Sequence, residues 1–278
     1  MDITTLDLQA AVATTETIAR HAGAILLDYF QRPRQSLHKN SLIDLVTEAD
    51  KASEAYIVPA LHEAFPDHFI HAEEGSGFGE ASETNPFHWY VDPLDGTTNF
   101  AHRFPHFAVS LSLSDQDLHP ILGVVYDPNR DECFTAIRGQ GAWVNGQRLH
   151  VSEIAQLAQA LPVTGFPYDS WTHPENNVAR VGHFLVRTQG IRRTGSAALD
   201  LCYVAGGRFD FYWERGAKPW DVQTGILCVL EAGGQISDFQ GQPSREAYAG
   251  HYILASNGLL HEQCVTVLTL GDDAPRPE

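Results

Sequence analysis

The chain has 278 residues, and 18 Lys and Arg against 35 Asp and Glu give a formal net charge of −17. That excess of acid, with no run of Lys or Arg, argues against a nucleic-acid binder, because phosphate backbones call for clustered positive charge. Hydrophobic residues at 43% and charged residues at 19% suffice for a sizeable core, and no stretch approaches the ~18–20 consecutive apolar residues that cross a bilayer.

Residues 5–30 carry helical periodicity through Leu8, Val12, Ile18, Ala22, Ile25 and Leu26, and Pro33 follows the stop. A second helix is predicted from about Thr47 to Phe65, with Pro59 a kink. Phe69-Ile70-His71-Ala72 reads as a short strand ending in Glu73-Glu74-Gly75, and the Gly/Ser/Glu-rich residues 75–86 read as a loop. His88-Trp89-Tyr90-Val91 is the next strand, again ending in acids. Val109, Leu111 and Leu113 alternate with Ser110, Ser112 and Ser114, the period of two expected of a half-buried strand. Runs 121–126 and 132–137 are parted by the turn Asp127-Pro128-Asn129-Arg130. Beyond residue 150 the predicted order is strand 161–165, helix 175–188, strand 191–193, helix 197–205 and strand 209–213. Helix 220–232, strands 235–238 and 251–255 and helix 258–268 complete it, with 271–278 a solvated tail. The alternation predicts a mixed α/β (α+β) protein with layered sheets and helices, organised as one domain over 1–270 whose halves meet near residue 150.

The start, Met1-Asp2-Ile3-Thr4, lacks the basic-then-apolar order of a signal peptide, so the expectation is a soluble cytoplasmic protein. Cys133, Cys202, Cys228 and Cys264 form no C-x-x-C pair, and Cys202 and Cys228 sit in apolar runs as small buried hydrophobes. His62-Glu63 and His261-Glu262 lack the second His of a zinc helix, and neither a G-x-S-x-G elbow nor a P-loop occurs.

The densest chemical signal is Val91-Asp92-Pro93-Leu94-Asp95-Gly96-Thr97-Thr98-Asn99-Phe100. An apolar strand delivers two carboxylates three residues apart into a turn, and carboxylate and carbonyl oxygens are what hard divalent cations prefer. Gly96 allows close backbone approach, and the N–H groups of Gly96 and Thr97 suit an anion. Either Asp alone is equally at home in an ordinary turn. In Glu73-Glu74 the side chains of an extended chain face opposite ways, so one acid serves a site and spacing does not choose which. Asp221 follows Pro219-Trp220 at a helix start, where an N-cap is the simpler role. Thr47-x-x-Asp50 fits a capping-box pattern.

Together these segments resemble the inositol monophosphatases, within the lithium-sensitive, Mg²⁺-dependent phosphatases. The resemblance runs from Asp44-Leu45-Val46-Thr47 to Glu231-Ala232-Gly233-Gly234 and is most specific in D-P-L-D-G-T-T-N-F (92–100) and P-W-D (219–221). It implies a layered αβαβα sandwich of the inositol monophosphatase and fructose-1,6-bisphosphatase type, usually a homodimer, hydrolysing a phosphate monoester without a phosphoenzyme. Carried over by position, Glu73, Asp92, the Leu94 carbonyl, Asp95 and Asp221 would hold metal. Asp50 would sit at an outer, weaker metal position and, with Thr97, orient the attacking water. Asp95, Gly96 and Thr97 would hold the phosphate, Gly195, Ser196, Ala197 and Glu214 the alcohol, and Lys39 would lie near the site. The resemblance thus assigns Glu73 over Glu74 and a catalytic role to Asp50 over capping. Two or three Mg²⁺ ions on these acids would reverse the local field that repels a phosphate dianion.

Relatives acting on 3′-phosphoadenosine nucleotides or histidinol phosphate carry Lys after D-G-T, whereas this chain has Thr98-Asn99-Phe100, as in the inositol phosphate branch. The expected substrate is therefore a small phosphorylated polyol or sugar, inositol 1-phosphate foremost. A fructose-1,6-bisphosphatase or a broad sugar-phosphate or histidinol-phosphate phosphatase is the alternative. Lys218 would favour a second phosphate, or is simply an exposed flanking lysine. A rival role is a regulatory, RNA-polymerase-associated binding protein on the same fold, and the blandest one an acidic α/β protein without metal.

Overall fold

The computed structural model describes residues 6–32, 41–79, 86–167 and 169–276, the side chains of 41–47 excepted. Two long amphipathic helices open it: α1 (Leu8–Gln31), capped by the Asp7 carboxylate on the Ala10 N–H, and α2 (Ser41–Ala64). Because α2 begins at Ser41, Asp50 lies more than two turns inside it, so the capping pattern at Thr47 marks no helix start. Pro59 stands within α2, which continues to Ala64.

A seven-stranded sheet follows, made of β1 (Phe69–Ala72), β2 (His88–Asp95), β3 (Ala108–Ser114), β4 (Pro120–Asp127), β5 (Glu132–Ile137), β6 (Gly141–Val144) and β7 (Gln147–Arg148) in that spatial order. Only β1 and β2 run parallel, and each later pair is antiparallel. The short helix α3 (Thr97–Ala101) leaves the end of β2.

The second half contributes β8 (Val163–Thr164), α4 (Val178–Leu185), α5 (Ala197–Ala205), β9 (Phe211–Arg215) and α6 (Pro219–Glu231). It closes with β10 (Gln235–Ser237), α7 (Arg245–Tyr248), β11 (Tyr252–Ser256) and α8 (His261–Leu270). Its four strands form a sheet in the order β10-β11-β9-β8. Helices α1 and α2 cover one face of the large sheet, while α5 and α6 fill the space between the two sheets. On the far side of the small sheet, Phe184 of α4 and Cys264 and Val267 of α8 pack on Phe211, Trp213 and Leu254. The layers thus run α, β, α, β, α, as the resemblance implies.

Four sequence expectations change. The serines of β3 do not face solvent: Ser110, Ser112 and Ser114 are all fully buried, because α6 covers that face. Their hydroxyls find partners there, Ser110 on the Trp220 carbonyl and Ser114 on Gln223 Oε1 at 2.6 Å. The expected strand at 191–193 is a single bridge between Arg192 and Val163. The strand drawn at 209–213 lies at 211–215, which moves Glu214 from a loop into the sheet. The solvated tail is docked as far as it is described. Ala274 is buried, and the buried Arg187 guanidinium donates to the Gly271, Ala274 and Pro275 carbonyls.

Candidate active site

The end of β2 is bent where its chemistry lies. Asp92 pairs with Ser110 but Asp95 pairs with Ala108, so β2 spends one more residue than β3 across this interval. Two carboxylates three apart would face opposite sides of a regular strand, and the bulge turns both into one cleft. Pro93, with no N–H to pair, sits at the irregularity, and its carbonyl accepts the Ser53 hydroxyl of α2 at 2.9 Å. Asp92 Oδ1 accepts the Leu94 N–H at 2.9 Å. Gly96 then turns the chain with a φ of +95°, where a Cβ would meet the His106 carbonyl at 2.9 Å. Thr97 starts α3, and its hydroxyl donates to the Leu94 carbonyl at 3.1 Å rather than to Asp50.

Helix starts and a loop bring up the remaining acids. Asp95 Oδ2 accepts the Ser196 hydroxyl at 2.5 Å and the Ala198 N–H at 2.9 Å, both at the N-terminus of α5. Asp221, in the first turn of α6, takes the Lys218 N–H on Oδ2 at 2.8 Å. Asp92, Asp95 and Asp221 thus each have one oxygen tied by a protein donor, which orients the other. Glu73 is solvent-accessible at the cleft mouth, with its carboxyl in hydrogen-bond reach of Asp92. Buried Glu54 of α2 holds that loop, accepting the Glu74 N–H at 2.9 Å, the Ser76 N–H at 3.1 Å and the Ser76 hydroxyl at 2.6 Å. These bonds fix the backbone beside Glu73, while Glu74 is exposed and does not line the cleft.

The cleft holds about 870 Å³ and is lined by Glu73, Asp92, Leu94, Asp95, Gly96, Thr97, Gly195, Ser196, Ala197, Glu214 and Asp221, among others. Asp50 does not line it but lies behind, in the field of Glu73, Glu74 and Glu54. Lys39 falls outside the described residues. Burial and mutual repulsion push every one of these acids upward: Glu73 and Asp95 to about 6, Asp50 to about 8, and Asp92 and Asp221 well above the carboxylate range. Desolvation is the largest cause throughout. Among the described residues no Lys or Arg side chain pairs with these five acids, and Asp50 Oδ1 is buried without a hydrogen-bond partner.

Concentrated carboxylates, three of them with one oxygen oriented by a protein donor, fit a hard divalent cation, which takes oxygen ligands. Among the described residues no group of three or more His, Cys, Asp or Glu is drawn closed around one position. An open set suits Mg²⁺, which keeps several waters and takes few protein ligands.

Asp200, Trp171 and Arg193 line the cleft and escaped the sequence reading, whereas Glu214 and Lys218 were named there. Asp200 of α5 is buried at the cleft wall, and its place inside the apolar run Ala197–Ala205 was the available signal. Asn99 donates to the carbonyls of His106 at 2.8 Å and Thr194 at 2.9 Å, tying the β2 turn to the loop before α5. Glu214 is buried under Gly165, takes the Tyr212 hydroxyl at 2.5 Å and is pushed up to about 7 by burial. Trp171, Arg193 and Lys218 stand at the rim.

Fold and site together describe a phosphatase that works on a carboxylate-lined cleft, and comparison with known proteins agrees. Residues 7–269 match the inositol monophosphatase family, and the chain belongs to that family. It is 45% identical over 259 residues to inositol-1-monophosphatase of Synechocystis, covering 92% of this chain and 88% of that one. It is 44% identical over 253 residues to the Nus factor SuhB of Pseudomonas aeruginosa, covering 90% and 92%. The structure of inositol monophosphatase from Anabaena superposes with a TM-score of 0.86 at 41% identity, over 96% of this chain and 98% of that one.

Proposed function

We propose that the protein is a Mg²⁺-dependent phosphoric monoester hydrolase whose foremost substrate is inositol 1-phosphate. The observation that carries this reading is the set of four carboxylates, Glu73, Asp92, Asp95 and Asp221, brought to one cleft and, among the described residues, paired with no Lys or Arg side chain. These residues and the Leu94 carbonyl would hold two or three ions, with Asp50 serving the outermost. Magnesium bound there would lower the pKa of its water, making a nucleophile near neutral pH, and would stabilise the leaving oxygen.

The chain's own groups supply placement. Gly96 and Thr97, whose N–H groups open α3, receive the phosphate oxygens. Ser196 and Ala198 hold Asp95 rigid, so the phosphate meets a fixed rather than a mobile acid. Glu214, with Gly195, Ser196 and Ala197, faces the alcohol, and its carboxylate suits hydroxyl donors of a polyol. Phosphoryl transfer asks little covalent help of a protein, so this positioning and the local charge carry the rate.

The test is phosphate release from inositol 1-phosphate, fructose 1,6-bisphosphate, histidinol phosphate and 3′-phosphoadenosine 5′-phosphate, each with Mg²⁺ and with EDTA. Release from inositol 1-phosphate that EDTA abolishes is the expected result. Release chiefly from another ester keeps the chemistry and moves the substrate, and silence across the panel overturns the reading. The 44% identity to a Nus factor favours one second reading, a binding role in transcription on the same fold. A turnover-dead variant that still supports growth where the wild type is needed would select it.

A further inference from the structure

The alcohol end of the cleft contains one acid that two neighbours hold in place. Successive residues of β9 face opposite ways, so Phe211 and Trp213 pack toward α4 and α8 while Tyr212 and Glu214 share the other face. There the fully buried Tyr212 donates its hydroxyl to Glu214 Oε2 at 2.5 Å. Among the described residues it is the one hydrogen-bond donor to Glu214, a residue that lines the cleft, so Oε2 is tied and Oε1 is left to accept. Burial pushes Glu214 up to about 7, and the phenol opposes that rise because its donor favours the ionised, accepting form.

Gly165, just past β8, is the second neighbour. A Cβ at that position would stand 1.9 Å from Glu214 Oε2 and 2.5 Å from Oε1, so only glycine leaves the carboxylate where it is. The backbone at Gly165 is pinned as well. Asn177, buried and with a φ of +67°, donates through Nδ2 to the Gly165 carbonyl at 2.8 Å and to Thr164 Oγ1 at 2.9 Å. Its Oδ1 in turn accepts the Trp213 indole N–H at 2.8 Å. Neither Tyr212 nor Asn177 lines the cleft, yet with Gly165 they decide where Glu214 stands. An acceptor fixed in advance loses little side-chain freedom when it takes a hydroxyl from a ligand.

We propose that Tyr212 is a positioning residue which, with Gly165, fixes Glu214 as the acceptor for a hydroxyl on the substrate's alcohol, so that the enzyme selects polyol phosphates over esters whose alcohol has no further hydroxyl. This role rests on the phosphatase reading and on Glu214 facing the alcohol. The test measures kcat and KM for inositol 1-phosphate and for p-nitrophenyl phosphate, which calls on the same metal-binding carboxylates but offers Glu214 no hydroxyl. In Tyr212→Phe, kcat/KM should fall about tenfold more for the polyol ester, entering through KM, as expected when a hydrogen bond to a charged group loses its fixed partner. Gly165→Ala should show the same bias, because its Cβ displaces the end of a flexible side chain and leaves the fold in place. In a Glu214→Ala background, Tyr212→Phe should change the ratio of the two esters less than about twofold, since the residue through which it acts is gone. Should Tyr212→Phe prove unfolded by circular dichroism, Gly165→Ala decides. Equal losses on both esters in the folded variants would mark a merely structural role and overturn the proposal, as would a full effect of Tyr212→Phe without Glu214. A wild type that hydrolyses neither ester overturns the phosphatase reading itself, a failure distinct from those two.

Discussion

Asp95 shows how one side chain carries two opposed demands. It is buried and repelled by its neighbours, yet Ser196 and Ala198 hold it in place. Asp95→Asn keeps the shape and removes the charge, so phosphate release should fall by about three orders of magnitude while the fold persists. Because one repelling carboxylate is gone, the melting temperature in EDTA should not drop. A drop of many degrees would show Asp95 to be a structural residue instead. Glu54 is the complementary case, a residue outside the cleft that acts through another. In Glu54→Gln the amide NH₂ confronts the donors of Glu74 and Ser76, costing about 1–3 kcal/mol locally. The Mg²⁺ concentration for half-maximal activity should rise about tenfold, since that loop carries Glu73. An unchanged Mg²⁺ curve would detach Glu54 from the site.

Among the elements, α6 does the most to join the two halves, since its buried face seals β3 and its first turn supplies Asp221. The seam between them is polar: Gln223 accepts the Ser114 hydroxyl and donates to the Tyr248 carbonyl, while Thr224 donates to the Leu111 carbonyl at 3.0 Å. Gly123 of β4 is what lets Thr224 so close, since a Cβ there would meet its side chain at 2.7 Å. Gln223→Leu leaves Ser114 and Tyr248 unpaired in the interior, and chemical denaturation should register a loss of about 2–4 kcal/mol. A loss below about 0.5 kcal/mol would mean that the seam relaxes to satisfy itself. The bulge in β2 belongs to the same scale. Pro93 lies within it and the Ser53 hydroxyl donates to the Pro93 carbonyl, and in a regular strand Asp92 and Asp95 would face apart.

Protonation acts on the molecule as a whole, and two sets of groups pull in opposite directions. His68, His106 and His261 are buried and lowered to about 4 by desolvation, against 6.5 in the unfolded chain. In that window the unfolded chain binds more protons, so their contribution is whole above pH 6.5 and is lost as pH falls toward 4. The acids behave inversely in the metal-free protein. Asp50 at about 8 and Glu73 and Asp95 at about 6 retain protons that the unfolded chain has released, so rising pH costs stability until they ionise. A cation that holds them ionised cancels this cost. The gain in melting temperature on adding Mg²⁺ should therefore be larger at pH 8 than at pH 5. Equal gains at both would place the ion elsewhere.

What the sequence determined by itself was whatever depends on near neighbours. The periodicity of α1, the turn at Asp127–Arg130 and the run D-P-L-D-G-T-T-N-F are each legible because propensity, turn chemistry and motif act over a few residues. Through that run and P-W-D came the family, the five-layer fold and most of the cleft. The resemblance, not the spacing, selected Glu73 over Glu74. Only the tertiary structure decided the rest. The serines of β3 read as solvent-facing because alternation reports polarity, whereas their burial depends on α6, more than a hundred residues away. Contacts between separate elements likewise hid Glu54 behind Glu73, Asn99 beneath the α5 loop and Trp171 at the rim. Long-range packing places these side chains, and no local pattern encodes which distant surface a side chain will meet.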